Sequence, residues 1–208
     1  MKILLLYPKF PKTFWSFKYA LPFIGKKSAF PPLGLLTVAA LLPRDWEKKL
    51  IDLNTQNLND DDIQWADLVF ISAMVVQKES TKEIINRVKK LRKKIVAGGP
   101  LFTICYRELL KDIDYFVLGE AEVTLPLFLK DLKNGNLKKI YKSNQWPDIS
   151  KTPIPLWELL DIKKMKKYSS MAIQFSRGCP FNCEFCDIII LNGGFPRTKD
   201  KEQILNEL

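Results

Sequence analysis

Three of the four cysteines in this 208-residue chain fall within eight residues, in the stretch Ser176-Arg177-Gly178-Cys179-Pro180-Phe181-Asn182-Cys183-Glu184-Phe185-Cys186. Thiolates spaced C-x3-C-x2-C, with Gly178 and Pro180 bending the backbone and no histidine anywhere in the chain, can aim three soft ligands at one metal centre. Iron–sulfur clusters are held by cysteine thiolates, normally four, and a structural zinc site wants four closed cysteine or histidine ligands. With the fourth ligand missing, the spacing favours a cluster that leaves one iron open. A zinc knuckle that borrows Asp187, or three buried thiols without metal, are the alternatives that spacing leaves standing.

The elements that must position this loop are read from periodicity. Residues 2–7 form a continuous apolar run, as expected of a strand buried on both faces of a parallel sheet. Pro31 and Pro32 open a helix that runs to Leu41, with proline where the first turn tolerates it. Residues 46–53, 66–74, 94–97 and 114–118 read as further strands. Asp60, Asp61 and Asp62 suit the positive end of a helix dipole, and residues 79–93 form an amphipathic helix with Ile84, Ile85, Val88 and Leu91 on one face. Helical segments over 106–110 and 123–132 complete the alternation. The fold class expected is α/β, with a doubly wound five-stranded parallel sheet.

Ligands of such sheets bind beyond the carboxyl ends of the strands, near the switch point. The segments expected there begin at Pro8, Ser72, Gly98-Gly99-Pro100 and Gly119-Glu120. No G-x-G-x-x-G follows the first strand, which argues against a dinucleotide site. Residues 9–30 make a long loop rich in aromatics, among them Phe10, Phe14, Trp15, Phe17, Tyr19, Phe23 and Phe30. A loop of that length in a compact domain is usually functional, and this one is expected to cover something flat and apolar.

Two resemblances follow from these residues. Cys179, Cys183 and Cys186, with Phe185 before the last, resemble the cluster loop of the radical S-adenosylmethionine superfamily. The resemblance implies a [4Fe-4S] cluster on the three thiolates, S-adenosylmethionine chelated by the unligated iron, and cleavage to a 5'-deoxyadenosyl radical, with Phe185 near the adenine. PPLGLLTVAALLP, the ISAM strand end, AGGP and LGEAE, in that order before the cysteines, resemble the cobalamin-binding domain of cobalamin-dependent radical S-adenosylmethionine enzymes, and TPIPLWELLDIKKM resembles linkers of a hopanoid-methylase-like subgroup. This implies a corrin across the carboxyl edge of the sheet, its nucleotide tail beside the later strands. The positions carried over are Pro32, Gly34, Ser72, Gly98, Gly99, Pro100, Gly119, Glu120 and Glu122. The chain lacks the D-x-H-x-x-G motif by which other cobalamin domains ligate cobalt, and Leu101 stands where a histidine often follows the GGP turn.

The organisation implied is a cobalamin-binding-like domain over residues 1–132, a linker over 133–168 and the start of a radical S-adenosylmethionine βα barrel over 169–208. Residues 170–175 are expected to form the first barrel strand, delivering the cysteines at its carboxyl end. Arg197-Thr198-Lys199 precedes a helix from residue 201, in a basic segment whose role the sequence does not give. Such a barrel needs roughly 200 residues, so the expectation is a truncated barrel or one completed by a second chain. The reaction implied is methyl transfer to an unactivated carbon of a small-molecule or lipid-like substrate, with an electron donor such as flavodoxin or ferredoxin. The alternative is a non-catalytic or degenerate cofactor-binding fragment.

Composition bounds the remaining classes. At 24.1 kDa, 47% hydrophobic and 27% charged residues, the chain is ordinary for a globular protein. No apolar run approaches the ~20 residues of a spanning helix. Thiolates reserved for a cluster need a reducing compartment, so a cytoplasmic location is expected. The net charge of +10 is dispersed over several lysine runs without interleaved stacking aromatics, so no nucleic-acid partner is expected.

Overall fold

Alternation along the first strand decides the layers of the molecule. Ile3 and Leu5 belong to one apolar core and Leu4 and Leu6 to the other, all four fully buried, because successive side chains of a strand point to opposite faces. In the computed structural model, which describes residues 1–208 apart from the side chain of Trp15, this strand is β1 (Lys2–Tyr7). It is followed by α1 (Leu33–Leu41), β2 (Glu47–Asp52), α2 (Asp60–Trp65), β3 (Leu68–Ser72), α3 (Lys78–Lys90), β4 (Lys94–Gly98), α4 (Pro100–Cys105), β5 (Tyr115–Val117) and α5 (Ala121–Asn134). The sheet order is β2-β1-β3-β4-β5-β6, every pair parallel. Chain direction across the sheet therefore reverses between β1 and β3, and their carboxyl ends border the switch point.

Helices cover both faces. Ile84, Ile85 and Val88 of α3 and Phe102 of α4 pack with Leu4, Val69, Ile95 and Phe116. On the other face Leu35, Leu36 and Ala39 of α1 and Leu125 and Phe128 of α5 pack with Leu5, Phe70, Val96 and Val117. The expected helix start at the aspartates is confirmed: Asn59 caps α2, with Asp60, Asp61 and Asp62 in its first turn. Acidic side chains there satisfy free N–H groups and the helix dipole together.

The sheet has six strands where five were expected. β6 (Ile140–Tyr141) extends β5 through the pairs Phe116↔Ile140 and Val117↔Tyr141. Two residues carry no readable periodicity, and this edge strand is held from the side, where the Tyr141 ring packs on Phe128 with centroids 5.5 Å apart. The stretch after it lies on the domain: Leu156 N–H donates to Leu36 O (3.0 Å), and after α6 (Ile162–Met165) Tyr168 bridges to Ser28.

The expected barrel strand at 170–175 is a second correction. Those residues are irregular, lying between the Ser28–Tyr168 bridge and the ladder that joins β7 (Ser176–Arg177) to β8 (Arg197–Thr198), antiparallel. The apolar pattern of SMAIQF suits a buried strand, yet backbone partners meet it only at its ends, where Ser170 N–H donates to Ala29 O (3.1 Å) and Phe175 O accepts from Lys199 N–H (2.9 Å). α7 (Ile188–Asn192) lies between β7 and β8, and α8 (Lys201–Glu207) follows. Within residues 9–30, two short 3-10 turns leave Phe14, Tyr19 and Phe23 largely exposed, while Leu21 packs inward.

Candidate functional site

The carboxyl ends of β3, β4 and β5 meet a slot of about 40 Å³ lined by Ser72, Gly98, Gly99 and Gly119 at the strand ends and by Leu35, Val38 and Leu125 of the covering helices. Its openness depends on missing side chains. A Cβ on Gly98 would come 2.8 Å from Val117 O, and Gly99, at φ 85° and ψ −176°, would press one against Ser72 Oγ. Backbone of this kind is essentially restricted to glycine. The Gly119 N–H is fixed by donating to Thr103 Oγ1 (3.0 Å).

Of the positions carried over from the family, Ser72, Gly98, Gly99 and Gly119 converge here. Pro32 is the buried residue preceding the first turn of α1, Gly34 is exposed, and Pro100 opens α4; none of these three lines the slot. The apolar walls, Leu35, Val38, Phe70 and Leu125, were not expected, since core leucines and slot leucines look alike in a sequence.

A buried polar cluster sits at the neighbouring edge of the switch point. Asp52 at the end of β2 is 1% exposed; it accepts from Asn54 N–H (2.8 Å) and from Tyr168 OH (2.9 Å). Burial pushes its carboxyl above the ordinary aspartate value against those hydrogen bonds. Burial, then the charge of Asp52, push the Tyr7 phenol up to about 12 and raise Tyr168 too. Both phenols remain protonated donors near neutrality.

Glu120 and Glu122 are used differently from the expectation. Arg177 Nη1 donates to Glu120 Oε2 (2.7 Å) and its Nη2 to Glu122 Oε1 (2.7 Å). Arg197 forks onto the other side of Glu120 and also donates to the carbonyls of Pro147 (2.9 Å) and Asn192 (2.8 Å). Its guanidinium lies 5.3 Å from the Trp146 ring centroid. Lys199 pairs with Glu207, both buried, so the basic segment whose role the sequence left open is a pair of internal ion pairs. Breaking a buried pair by removing one partner costs about 3–5 kcal/mol.

The Glu122 carboxyl titrates below its ordinary value of 4.5: burial raises it, and the hydrogen bond and charge of Arg177 outweigh that. A depressed carboxylate contributes stability above its unfolded value and loses it as pH falls through the folded one. Hydrogen exchange of residues 176–198, corrected for intrinsic rate, is therefore expected to accelerate below pH 4.5 while β1 and β3 stay protected. Simultaneous loss of both would count against a local weakness.

Cys179 N–H donates to Gly193 O (3.2 Å) and Cys186 N–H to Cys183 O (3.1 Å). All four cysteines are free thiols, Cys183 is exposed, and Phe185 is 92% exposed. Among the described residues no group of three or more His, Cys, Asp or Glu is gathered to hold a metal ion. The donor set nonetheless suits a cluster: three thiols free of disulfide, on one short loop with a tight turn between the last two. The slot has the apolar, glycine-edged lining that a flat group needs, but at about 40 Å³ it admits one only if α1 and α5 move apart, and with no histidine in the chain no imidazole of this chain can ligate a metal there.

Residues 26–129 match the family described as B12 binding domain, a span that holds the slot and all but β1 and β6 of the sheet. The chain is 46% identical, over its whole length, to an uncharacterized methyltransferase of Synechocystis, covering 38% of that protein. It is 35% identical, again over its whole length, to the hopanoid C-2 methylase of Rhodopseudomonas palustris, covering 40% of it. To the anaerobic magnesium-protoporphyrin IX monomethyl ester cyclase of Synechocystis it is 30% identical over 89% of the chain and 42% of that protein. It thus spans about two fifths of the length of these curated relatives. No helix among the described residues is long and apolar enough to cross a membrane. On the parallel sheet, its glycine-edged slot and a match that covers the slot and β2 to β5, the chain belongs to the B12-binding domain family, and its relatives are those expected of cobalamin-dependent radical S-adenosylmethionine proteins.

Proposed function

We propose that this chain is the cofactor-binding part of a cobalamin-dependent radical S-adenosylmethionine methyltransferase. One observation carries the reading: the B12-binding match falls on the residues that build the slot, and the turn Gly119-Glu120 that borders it also grips the segment bearing Cys179, Cys183 and Cys186. When bound, the cluster would supply the electron that cleaves S-adenosylmethionine, and cobalamin the methyl group to be transferred.

The roles of the chain follow from its own groups. Cys179, Cys183 and Cys186 would hold the cluster as thiolates, three of the four ligands that such clusters normally take. The exposed ring of Phe185 is available to stack on the adenine. Gly98, Gly99 and Gly119 keep the strand ends flat enough for a corrin, and the slot behind them, walled by Leu35, Val38 and Leu125, receives the apolar part of its nucleotide tail once α1 and α5 separate. Tyr7 offers a phenol hydrogen at the same edge, whereas that of Tyr168 is committed to Asp52. The organisation is a cobalamin domain over 1–132, a connecting segment over 133–168 and the cluster segment over 169–208. The substrate is a small, lipid-like molecule, after the hopanoid named for one relative, and a flavodoxin or ferredoxin delivers the electron in the cytoplasm. A second chain or further barrel strands complete the substrate side.

A second reading, a degenerate, non-catalytic fragment, is favoured by the cysteines, which are not gathered around one point. Anaerobic reconstitution with iron, sulfide and hydroxocobalamin separates the readings. We expect about four irons per chain with charge-transfer absorption, and one cobalt. Cys179→Ala loses the iron and keeps the cobalt. Iron without cobalt would sink the cobalamin assignment, and neither metal would leave the second reading.

A further inference from the structure

We infer that Glu120, Arg177 and Arg197 are positioning residues that lock the Cys179 end of the cysteine loop to the carboxyl edge of the sheet, leaving Cys183 and Cys186 to close on whatever the loop binds. The inference rests on reading the three cysteines as a cluster loop and adds an order to its assembly.

Every backbone feature next to Cys179 is pinned. Arg177, two residues before it, is held by Glu120 and Glu122 at 2.7 Å each and by Gln174 Oε1 at 2.7 Å. Gly178 sits at φ 92°, where an added Cβ would collide with Phe195 O; only glycine allows the two strands of the β7–β8 ladder so close. The N–H of Cys179 itself is taken by Gly193 O (3.2 Å), and Gly193 packs against the Trp146 ring that Arg197 covers. None of this reaches the other two thiols. Cys183 is exposed, and the turn between it and Cys186 is closed by one internal hydrogen bond.

The anchor is also the wall of the sheet-edge site. Glu120 is only 8% exposed and follows Gly119, which lines the slot. Displacing this turn therefore shifts both the slot and Arg177. A carboxylate with two arginines around it has a further property: with either arginine removed, the other still holds it. Removing Glu120 leaves Arg177 to Glu122 and Gln174, and Arg197 to the carbonyls of Pro147 and Asn192, so it alone breaks the tie between the two arginines and the sheet-edge turn.

The test is thiol alkylation of the cofactor-free 208-residue protein by a maleimide, with each cysteine followed by peptide mass spectrometry. In Glu120→Gln we expect Cys179 to react faster by on the order of tenfold, because local opening exposes a partly buried thiol. Cys183, already exposed, should be unchanged. Cys105, the last residue of α4, packed against the core, reports on the sheet domain and should be unchanged as well. Arg197→Lys, which keeps the charge and loses the fork, should give a smaller rise, and Glu120→Asp should fall between wild type and Glu120→Gln. Equal rises at Cys179 and Cys105 in both Glu120→Gln and Arg197→Lys would make Glu120 a residue of the general fold and overturn the proposal; no rise at Cys179 would overturn it too. Because no metal or corrin is added, the outcome is independent of reconstitution, on which the cofactor reading stands or falls.

Discussion

Phe128→Ala is expected to destabilise the protein by about 3–5 kcal/mol, the cost of emptying a fully buried phenylalanine site. Phe128 of α5 has no exposed surface. Its ring meets three others edge-on or tilted, Phe70 at 6.2 Å, Tyr115 at 5.7 Å and Tyr141 at 5.5 Å between centroids. These rings sit on β3, β5 and β6, so one side chain ties α5 across much of the sheet. Edge-to-face pairs add roughly 0.5–1.5 kcal/mol each beyond area burial, and collapse of the void is opposed because the partners are anchored on strands. Tyr141 has a second role: its hydroxyl accepts from Lys138 N–H (2.8 Å) and donates to Asp131 (3.2 Å). Loss of Phe128 leaves the two-residue strand to these hydroxyl bonds and to its backbone pairing with β5. Urea unfolding should show the midpoint falling with the slope unchanged. Phe23→Ala, at a residue 91% exposed, should stay within about 0.5 kcal/mol of wild type. A cost for Phe128→Ala below about 1 kcal/mol would mean that α5 is not packed as described.

The same contrast marks what a sequence can reveal. β1 was legible because a strand buried on both faces must be apolar at every position, and Ile3 to Leu6 are. The aspartates opening α2 and the prolines before α1 were legible because helix ends have their own local chemistry. β6 was hidden because two residues between lysines carry no period, and what holds them is a ring on a helix. The stretch 170–175 misled for the converse reason: its pattern is a strand's, and strands form only where a partner lies alongside.

The site shows a similar division. Gly98, Gly99 and Gly119 could be placed at the carboxyl edge because topology puts turns there. Glu120 and Glu122 were found at the right edge but given a ligand's work, whereas Glu120 meets Arg177 and Arg197 from 57 and 77 residues away. Two acidic residues after a strand and single arginines flanking a cysteine motif are weak signals separately. Their pairing is a property of the fold, and burial makes it significant, since an unpaired charge at Glu120 would be costly to keep there. In the same way the role of the lysine in Arg197-Thr198-Lys199 stayed open until the fold brought it to Glu207 in the following helix.

Gly99→Ala is the second change with a large expected effect, and it separates backbone from contact. At φ 85° and ψ −176° the residue lies where non-glycine residues pay of order 1–3 kcal/mol, so alanine should destabilise by about that amount even with room for its methyl. Room is also short, because the new Cβ meets Ser72 Oγ. That oxygen ends a side chain able to turn, and Ser72→Ala removes it altogether. The double variant should therefore recover only the contact part, leaving the backbone cost in a mutant cycle. Gly98→Ala makes the opposite case: its φ is not left-handed, and its Cβ would sit 2.8 Å from Val117 O, a backbone atom in the parallel pair Gly98↔Val117. There β5 itself must move, and Val117→Ala should give no relief. Urea midpoints of the four single variants and the two doubles decide the matter. If Ser72→Ala fully restored Gly99→Ala, crowding and not conformation would be what keeps glycine at that position. The slot would then owe its shape to Ser72, the one polar side chain on its floor.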